Sequence, residues 1–132
     1  MNILLLSTAA RGHALAMSLV SSAHNVQLVH CSPHKNPGIR KLATHDIQVD
    51  ITNPQAVLEA IDGHTIDFAV VGPEDPLGAG IVDALDTINI PCVGPTKKHA
   101  QIEASKGFTR NLLERHGIDA SPKFQVFTSE NI

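Results

Sequence analysis

The sequence contains no tryptophan or tyrosine, and only four phenylalanines occur among its 132 residues. Proteins that bind single-stranded nucleic acid usually stack the bases on aromatic side chains, and they are more often basic than acidic. This chain has 13 acidic and 10 basic residues, which gives a formal net charge of −3. The scarce aromatics and the acidic balance together argue against a nucleic-acid partner.

Cysteines and long apolar runs are also scarce. The two cysteines, Cys31 and Cys92, are too few for a disulfide scaffold, and we expect both to be reduced structural thiols. The apolar run at residues 3–6 is too short for the core of a signal peptide, and no stretch approaches the length of a membrane span. We therefore expect a cytoplasmic chain without a membrane partner.

Short apolar runs rich in β-branched residues alternate with amphipathic helical patterns. The runs predict strands over residues 3–6, 26–31, 47–51, 66–71 and 90–93. The helical patterns predict helices over residues 13–23, 54–61, 77–88, 97–104 and 106–116. This alternation is typical of an α/β fold with a Rossmann-like parallel sheet flanked by helices.

Helix caps and one further strand complete the predicted elements. Thr52 and Gln55 have the spacing of a capping box. Thr96 and Ser105 are suitable N-caps for the two last helices. A final apolar segment at residues 124–127 is predicted as a strand.

Ligands of doubly wound sheets bind beyond the carboxyl ends of the strands, so the loops after the strands are the first places to inspect. The first of them lies within LLLSTAARGHAL and contains a single glycine, Gly12. Arg11 and His13 open the following helix, where cations oppose the helix dipole unless an anion is near. This placement favours an anion site, and the alternative is a solvated arginine and a packed histidine.

The segment GPEDPLG follows the strand predicted over residues 66–71. Glu74 in this loop could accept hydrogen bonds from a ligand amine or hydroxyl, or it could simply complement the helix dipole. The histidines lack the spacing of metal ligands, so no metal site is predicted. A basic group near the last helix starts is most simply a solvated face; its members are Lys97, Lys98, Lys106 and Arg110.

Three segments together resemble the N-terminal part of the phosphoribosylamine–glycine ligases, or glycinamide ribonucleotide synthetases: ARGHALA, VVGPEDPLGAGIVDAL and VGPTKKHAQIEASKGFTRNLLERHGI. The resemblance implies a Rossmann-like substrate-binding domain over residues 1–104 and the start of an ATP-grasp portion over residues 105–132. It also implies the family's reaction, in which ATP and Mg²⁺ (or Mn²⁺) activate glycine for transfer to phosphoribosylamine in purine biosynthesis.

The family's first turn reads GNGGREHAL where this chain reads STAARGHAL, so Arg11 and His13 match while three glycines and a glutamate are replaced. The resemblance implies that this turn holds a phosphate, that Glu74 faces the ribose or the amine, and that Lys106 approaches the phosphates of ATP. The substrate-binding residues implied in this way are Ser7, Thr8, Ala10, Arg11, Gly12, His13, Gly38, Glu74 and Pro76.

Because the resemblance reaches only the start of the ATP-grasp portion, we expect a fragment that is inactive alone. It should contain no catalytic residue and bind no ATP or metal by itself. Two alternatives stay open. The replaced glycines would suit a non-catalytic, degenerate Rossmann-like domain used for assembly or regulation, and the fold would also suit the N-terminal domain of another ATP-grasp ligase.

Overall fold

Five parallel strands form a single sheet in the computed structural model, which describes residues 1–127. Every neighbouring pair of strands is parallel, and the order across the sheet is β3-β2-β1-β4-β5. The strands are β1 Asn2–Leu6, β2 Gln27–Ser32, β3 His45–Gln48, β4 Phe68–Val71 and β5 Cys92–Val93. The predicted α/β fold with a Rossmann-like parallel sheet is confirmed.

Helices cover both faces of this sheet. They are α1 Ala9–Val20, α2 Pro37–Arg40, α3 Pro54–Ala60, α4 Glu74–Ala79, α5 Ile81–Asp86, α6 Lys97–Ala104 and α7 Lys106–Arg115. Ile3 and Leu5 of β1 pack in the core cluster that includes residues of α1 and α2, whereas Leu4 and Leu6 pack in the cluster that includes residues of α3 to α6. Because successive side chains of a strand point to opposite faces, a strand covered on both sides is apolar throughout.

The strand order reverses between β1 and β4, which makes this pair the switch point of the sheet. In open α/β sheets the crevice that binds ligands lies at such a point, outside the carboxyl ends of the strands. The amide of Gly72 donates to the carbonyl of Leu6 at 2.9 Å and joins the two strand ends. The turn into α1 and the loop into α4 therefore meet at this edge.

Two predicted helices differ from the observed ones. The first helix begins at Ala9 rather than at residue 13, because Ala9 adopts φ +56° and turns the chain directly from β1 into the helix. The helix predicted over residues 77–88 is two helices, α4 and α5, separated by Gly80. Gly80 has φ +97°, a left-handed conformation that ends α4 and that glycine adopts without steric cost.

Two strand predictions also need correction. The strand predicted over residues 47–51 is β3, which lies earlier, because pairing with β2 sets Val29 opposite His45 and Ser32 opposite Gln48. The strand predicted over residues 124–127 is wrong, since these residues form neither helix nor strand. A strand needs a neighbouring ladder, and the five-stranded sheet of residues 1–127 is formed without this segment. Residues 128–132, at the end of the portion predicted over residues 105–132, lie outside the described residues.

The predicted capping box before α3 is wrong, because the cap is Asn53, whose Oδ1 accepts the amide of Ala56 at 3.2 Å. Thr52 instead donates its hydroxyl to Asp50. Ser105 is confirmed as the cap of α7, where its Oγ accepts the amide of Phe108 at 3.2 Å.

Thr96 holds the N-cap position of α6 as predicted, but its side chain makes no capping hydrogen bond in the described structure. The amide of Lys97 donates to the carboxylate of Asp83 at 2.7 Å instead. Asp83 of α5 thus accepts a hydrogen bond from the amide of the first residue of α6. Among residues 1–127, no helix has both the length and the apolar character needed to cross a membrane.

Candidate functional site

The turn from β1 into α1, residues 7–13, presents backbone amides at the switch point. We call it the first turn. Thr8 is extended, with φ −133° and ψ 162°, and its side chain makes no capping hydrogen bond in the described structure. The amide of Gly12 donates to the carbonyl of Thr8 at 3.2 Å and is the first helical bond, so the amides of Ala9, Ala10 and Arg11 precede the hydrogen-bonded ladder.

The backbone of the first turn suits an anion. A left-handed residue followed by helical residues, as Ala9 is here, turns successive N–H groups toward one concavity. The positive end of the helix dipole adds to this effect, and α1 has no acidic residue in its first turn that would compensate it. The first turn therefore combines unbonded donors with a positive potential, although Gly12 is its single glycine where such turns usually have several.

Ser7 is buried beneath the first turn, with a relative exposure of 1%. A Cβ added at Gly12 would lie 2.4 Å from the Ser7 Oγ, and one added at Gly72 would lie 2.7 Å from it. The hydroxyl is thus enclosed between two glycines instead of facing the edge. The family pattern has glycine at the position of Ser7 and glutamate at the position of Gly12. In this chain the larger residue is therefore at the end of β1, and the absence of a side chain at Gly12 in α1 leaves room for the Ser7 hydroxyl.

Arg11 and Glu74 face each other across the crevice. Arg11 Nη2 lies 3.6 Å from Glu74 Oε2, and the two side chains are 76% and 44% exposed. Exposed ion pairs of this kind contribute about 0–1 kcal/mol, because water screens them and both side chains lose freedom. The structure thus brings the two predicted charged site residues together in a pair that a ligand could open at little cost.

The loop after β2 is attached to the first turn. Asn36 Nδ2 donates to the carbonyl of Ala9 at 3.1 Å, while Asn36 Oδ1 accepts the amides of Gly38 and Ile39. A Cβ added at Gly38 would lie 2.6 Å from the His13 ring, so the imidazole lies directly against the Gly38 backbone. Gly38 and His13, both predicted site residues, are therefore neighbours. Asn36 was not among them, although its position before Pro37 and Gly38 is typical of a cap.

A buried histidine below the first turn was missed by the sequence analysis. His30 in β2 is fully buried, with Nδ1 2.8 Å from Asp46 Oδ1 and Nε2 3.1 Å from the carbonyl of Ser7. A histidine inside the apolar run of a central strand is the signal that could have revealed it. The next residue, Cys31, is also buried. Its burial is the main cause that raises the pKa of its thiol to about 12, and the negative charge of Asp46 is the second.

Both cysteines are free, as predicted. The pKa of Cys92 is also raised, to about 11, chiefly by burial and secondarily by the charge of Asp86. Thiols with such high pKa values are protonated near neutral pH and are weak nucleophiles. Their role in this fold is packing.

Of the remaining predicted residues, Pro76 and Lys106 lie apart from the crevice, and Ala10 presents its backbone amide at the first turn. Pro76 is fully buried within α4, so its ring packs in the interior. Lys106 is the exposed first residue of α7, which packs on α6, which in turn packs on α4. Ala10 is exposed at the first turn. Within residues 1–127, no group of at least three His, Cys, Asp or Glu side chains is placed to hold a metal ion.

Comparison with known sequences relates the chain to one family. Residues 1–103 match the family model described as phosphoribosylglycinamide synthetase, N domain. The chain is similar to the phosphoribosylamine–glycine ligase of Methanocorpusculum labreanum, with 44% identity over 126 residues, covering 96% of this chain and 29% of that protein. It is 41% identical over 130 residues to the enzyme of the same name from Methanosarcina barkeri, covering 98% of this chain and 30% of that protein. The chain thus spans less than a third of the length of these relatives.

Comparison with solved structures supports the fold. The crystal structure of phosphoribosylglycinamide synthetase from Anaerococcus prevotii matches with a TM-score of 0.73 at 16% identity, over 98% of this chain and 32% of that one. N5-carboxyaminoimidazole synthetase from Staphylococcus aureus, solved in complex with ADP, matches with a TM-score of 0.63 at 16% identity, over 88% of this chain and 30% of that one. At these identities the likeness concerns the arrangement of strands and helices.

Proposed function

The chain belongs to the family of the phosphoribosylglycinamide synthetase N domain, and from this premise we propose that it is the phosphosugar-binding domain of a phosphoribosylamine–glycine ligase. The observation that carries the proposal is the uncapped N-terminus of α1, placed at the switch point of the sheet beside Arg11. A phosphate there would accept bonds from the amides of Ala9, Ala10 and Arg11 and would face the guanidinium.

The Arg11–Glu74 pair explains how the same crevice could recognise an aminated phosphosugar. Such a ligand carries an anionic phosphate at one end and an amine at the other. On binding, Arg11 would exchange the carboxylate for the phosphate, and Glu74 would become available to the amine or to a ribose hydroxyl. The exchange is inexpensive because the exposed pair it opens is weak.

The replacement of glycines in the first turn weakens the proposal of a phosphate site less than the sequence suggests. Ala9 keeps the left-handed conformation that a glycine would adopt, and the Cβ of Ala10 is exposed. Ser7 points inward to Gly12 and Gly72, so its hydroxyl does not crowd the crevice. The left-handed Ala9 and the exposed Ala10 therefore support a phosphate in this turn, with alanines at two glycine positions.

The whole ligase would join glycine to phosphoribosylamine with ATP and Mg²⁺ (or Mn²⁺), in the cytoplasm and in purine biosynthesis. Residues 1–127 do not by themselves fit an ATP–metal site: the Ser105 side chain already caps α7, Lys106 is a single exposed cation, and no metal-ligand group is present in this range. We propose that residues 105–132 begin the ATP-grasp portion and that the glycine site, most of the ATP site and the metal ligands belong to other parts of such a ligase.

The proposal is tested by a two-dimensional amide NMR titration of the chain with glycinamide ribonucleotide, using ribose as the phosphate-free control. We expect shifts in the first turn and around Glu74 with the phosphate compound only. Arg11→Gln should weaken binding about tenfold, since a charge-assisted bond to phosphate is lost. The matched substitution Arg115→Gln, at an exposed residue at the far end of α7, should leave binding unchanged.

Absence of any shift at millimolar ligand would overturn the phosphosugar proposal for this chain and favour the non-catalytic assembly or regulatory domain. Equal shifts with ribose and with the phosphate compound would also contradict it, because the first turn would then contribute nothing. Binding that Arg11→Gln and Arg115→Gln weaken equally would place the phosphate elsewhere.

A further inference from the structure

His30 occupies an unusual position for an ionisable residue. It lies in the second strand, between β1 and β3, and its ring is fully buried. In the sheet register His30 is paired with Leu5 of β1 on one side and with Asp46 of β3 on the other. Its two ring nitrogens both have close partners, Asp46 Oδ1 at 2.8 Å and the carbonyl oxygen of Ser7 at 3.1 Å.

The chemistry of these partners determines the protons on the ring. A carbonyl oxygen can only accept a hydrogen bond, and an ionised carboxylate can only accept one as well. With an ionised carboxylate, both contacts are hydrogen bonds only when Nδ1 and Nε2 both donate, which is the imidazolium form of the ring. A buried charge of this kind is tolerated when it is paired and hydrogen-bonded.

The contact with Ser7 acts on the first turn through the planarity of the peptide bond. The carbonyl of Ser7 and the amide N–H of Thr8 belong to one planar trans unit and point in opposite directions. Holding the carbonyl against the buried ring therefore directs the Thr8 N–H away from the interior. The same unit leads into the left-handed Ala9, where the amides of the first turn begin.

We propose that His30 is the positioning residue of the first turn, with Nε2 donating to the Ser7 carbonyl and Nδ1 donating to the Asp46 carboxylate. This positioning claim rests on the contacts of residues 7, 30 and 46 and does not depend on any ligand. The consequence for ligand affinity rests on the proposed function, namely that the first turn binds a phosphosugar. His30 itself does not touch the ligand, since it lies below the turn and has no exposed surface.

Further titratable and charged residues line a cavity beside Asp46. A cavity of about 130 Å³ above the ends of β2 and β3 is lined by Asp46 together with His34, Lys35 and Arg40. Asp46 is 19% exposed as a side chain, and its Oδ1 contacts the buried His30 ring. The buried thiol of Cys31 also lies within the field of Asp46.

The protonation claim is tested on the wild-type chain by ¹⁵N NMR of the His30 ring at neutral pH. We expect both nitrogens to show the shifts of protonated imidazole nitrogens. In Asp46→Asn the amide of the asparagine can donate to Nδ1, so the ring should become the neutral tautomer that keeps only the Nε2 proton. A singly protonated ring in the wild type would overturn the proposal without any variant.

The positioning claim is tested by a pair of amide variants that divide the two contacts. In His30→Gln the side-chain amide reaches the position of the histidine Nε2 and can still donate to the Ser7 carbonyl. In His30→Asn the amide reaches only the position of Nδ1, so it can donate to Asp46 and not to Ser7. We expect the backbone amide resonances of residues 8–11 to stay near their wild-type positions in His30→Gln and to move in His30→Asn. His24→Asn, at an exposed histidine, is the matched control and should move none of them.

Affinity for glycinamide ribonucleotide is the second measurement on the same variants. We expect His30→Gln and Asp46→Asn to bind within about threefold of wild type and His30→Asn to bind about tenfold more weakly, the effect of one lost hydrogen bond to a buried carbonyl. If the Gln and Asn variants move the first-turn amides equally, His30 has a merely structural role and the inference is wrong. If the wild type binds no ligand, the proposed function fails, while the ring and amide measurements still decide the role of His30.

Discussion

Ala9→Gly should stabilise the protein, although alanine is normally the better residue for a helix. Ala9 has φ +56°, and the other non-glycine residues with positive φ in residues 1–127 are Asn25 and Asn89. Asparagine tolerates this left-handed region because its short polar side chain can bond locally, whereas alanine has a Cβ and no such compensation. Ala9 therefore holds a strained conformation at the start of α1, which the Asn36 bond to its carbonyl helps to maintain.

The size of the effect follows from two opposing contributions. A left-handed residue with a Cβ costs about 1–2 kcal/mol relative to one without, and glycine removes this strain. Glycine also gives the unfolded chain more freedom, which lowers the free energy of unfolding by about 0.4–1 kcal/mol. The net expectation is a stabilisation of about 1 kcal/mol. For a chain of this size that corresponds to a rise of about 4 °C in the melting temperature.

The assay is urea and thermal unfolding followed by circular dichroism, because the chain has no tryptophan or tyrosine to report by fluorescence. The adjacent alanine provides the control: Ala10 lies in α1 without a positive φ, so Ala10→Gly should destabilise by about 0.5–1 kcal/mol. Opposite signs at the two neighbouring positions are the expected result. Equal destabilisation by both substitutions would refute the strain at Ala9 and the conformation assigned to the first turn.

Three further predictions concern packing, pH and capping. Gly12→Ala should destabilise by about 1–3 kcal/mol because its Cβ would meet the Ser7 hydroxyl, and Ser7→Gly in the same chain should restore most of the loss in a double-mutant cycle measured by urea unfolding. Burial raises the pKa of the native Cys31 thiol to about 12, whereas an ordinary thiol has a pKa of 9.0. The free energy of unfolding should therefore fall as the pH rises through this interval, and it should fall less in Cys31→Ala. If urea unfolding gives the same pH dependence for both chains, the burial of the thiol is contradicted. Asn53→Ala should lower the free energy of unfolding by about 1 kcal/mol because α3 loses its cap, and Thr52→Ala should lower it clearly less. Equal losses of stability in thermal unfolding would instead support a capping box with Thr52 as the cap.

Much of the fold could be predicted because it depends on local patterns. Apolar runs of β-branched residues identified the strands, and the alternation with helices indicated the parallel sheet. The two errors in helix bounds occurred where the backbone conformation of one residue decided the outcome. Gly80 divides a continuous helical pattern through its left-handed conformation, and Ala9 begins α1 earlier than the apolar periodicity indicated.

The candidate site was predictable only in part. The sequence pointed to Arg11, His13 and Glu74 because charged residues beside strand ends and helix starts are locally unusual. It also included Ser7 and Pro76, whose side chains the fold buries. The buried pair of His30 and Asp46 was missed, because each residue alone belongs to an ordinary pattern and only the β2–β3 register places them side by side.

By itself, the sequence determined the class of fold, the approximate elements and the family motifs, since these follow from periodicity, turn residues and motifs that are continuous in the chain. The tertiary structure decided which side chains share the crevice. The meeting of Arg11 with Glu74, the enclosure of Ser7 between two glycines, and the contact of His30 with the Ser7 carbonyl all join residues from different elements. Such contacts depend on strand order and register, which arise from packing both faces of the sheet and are not encoded by any single segment.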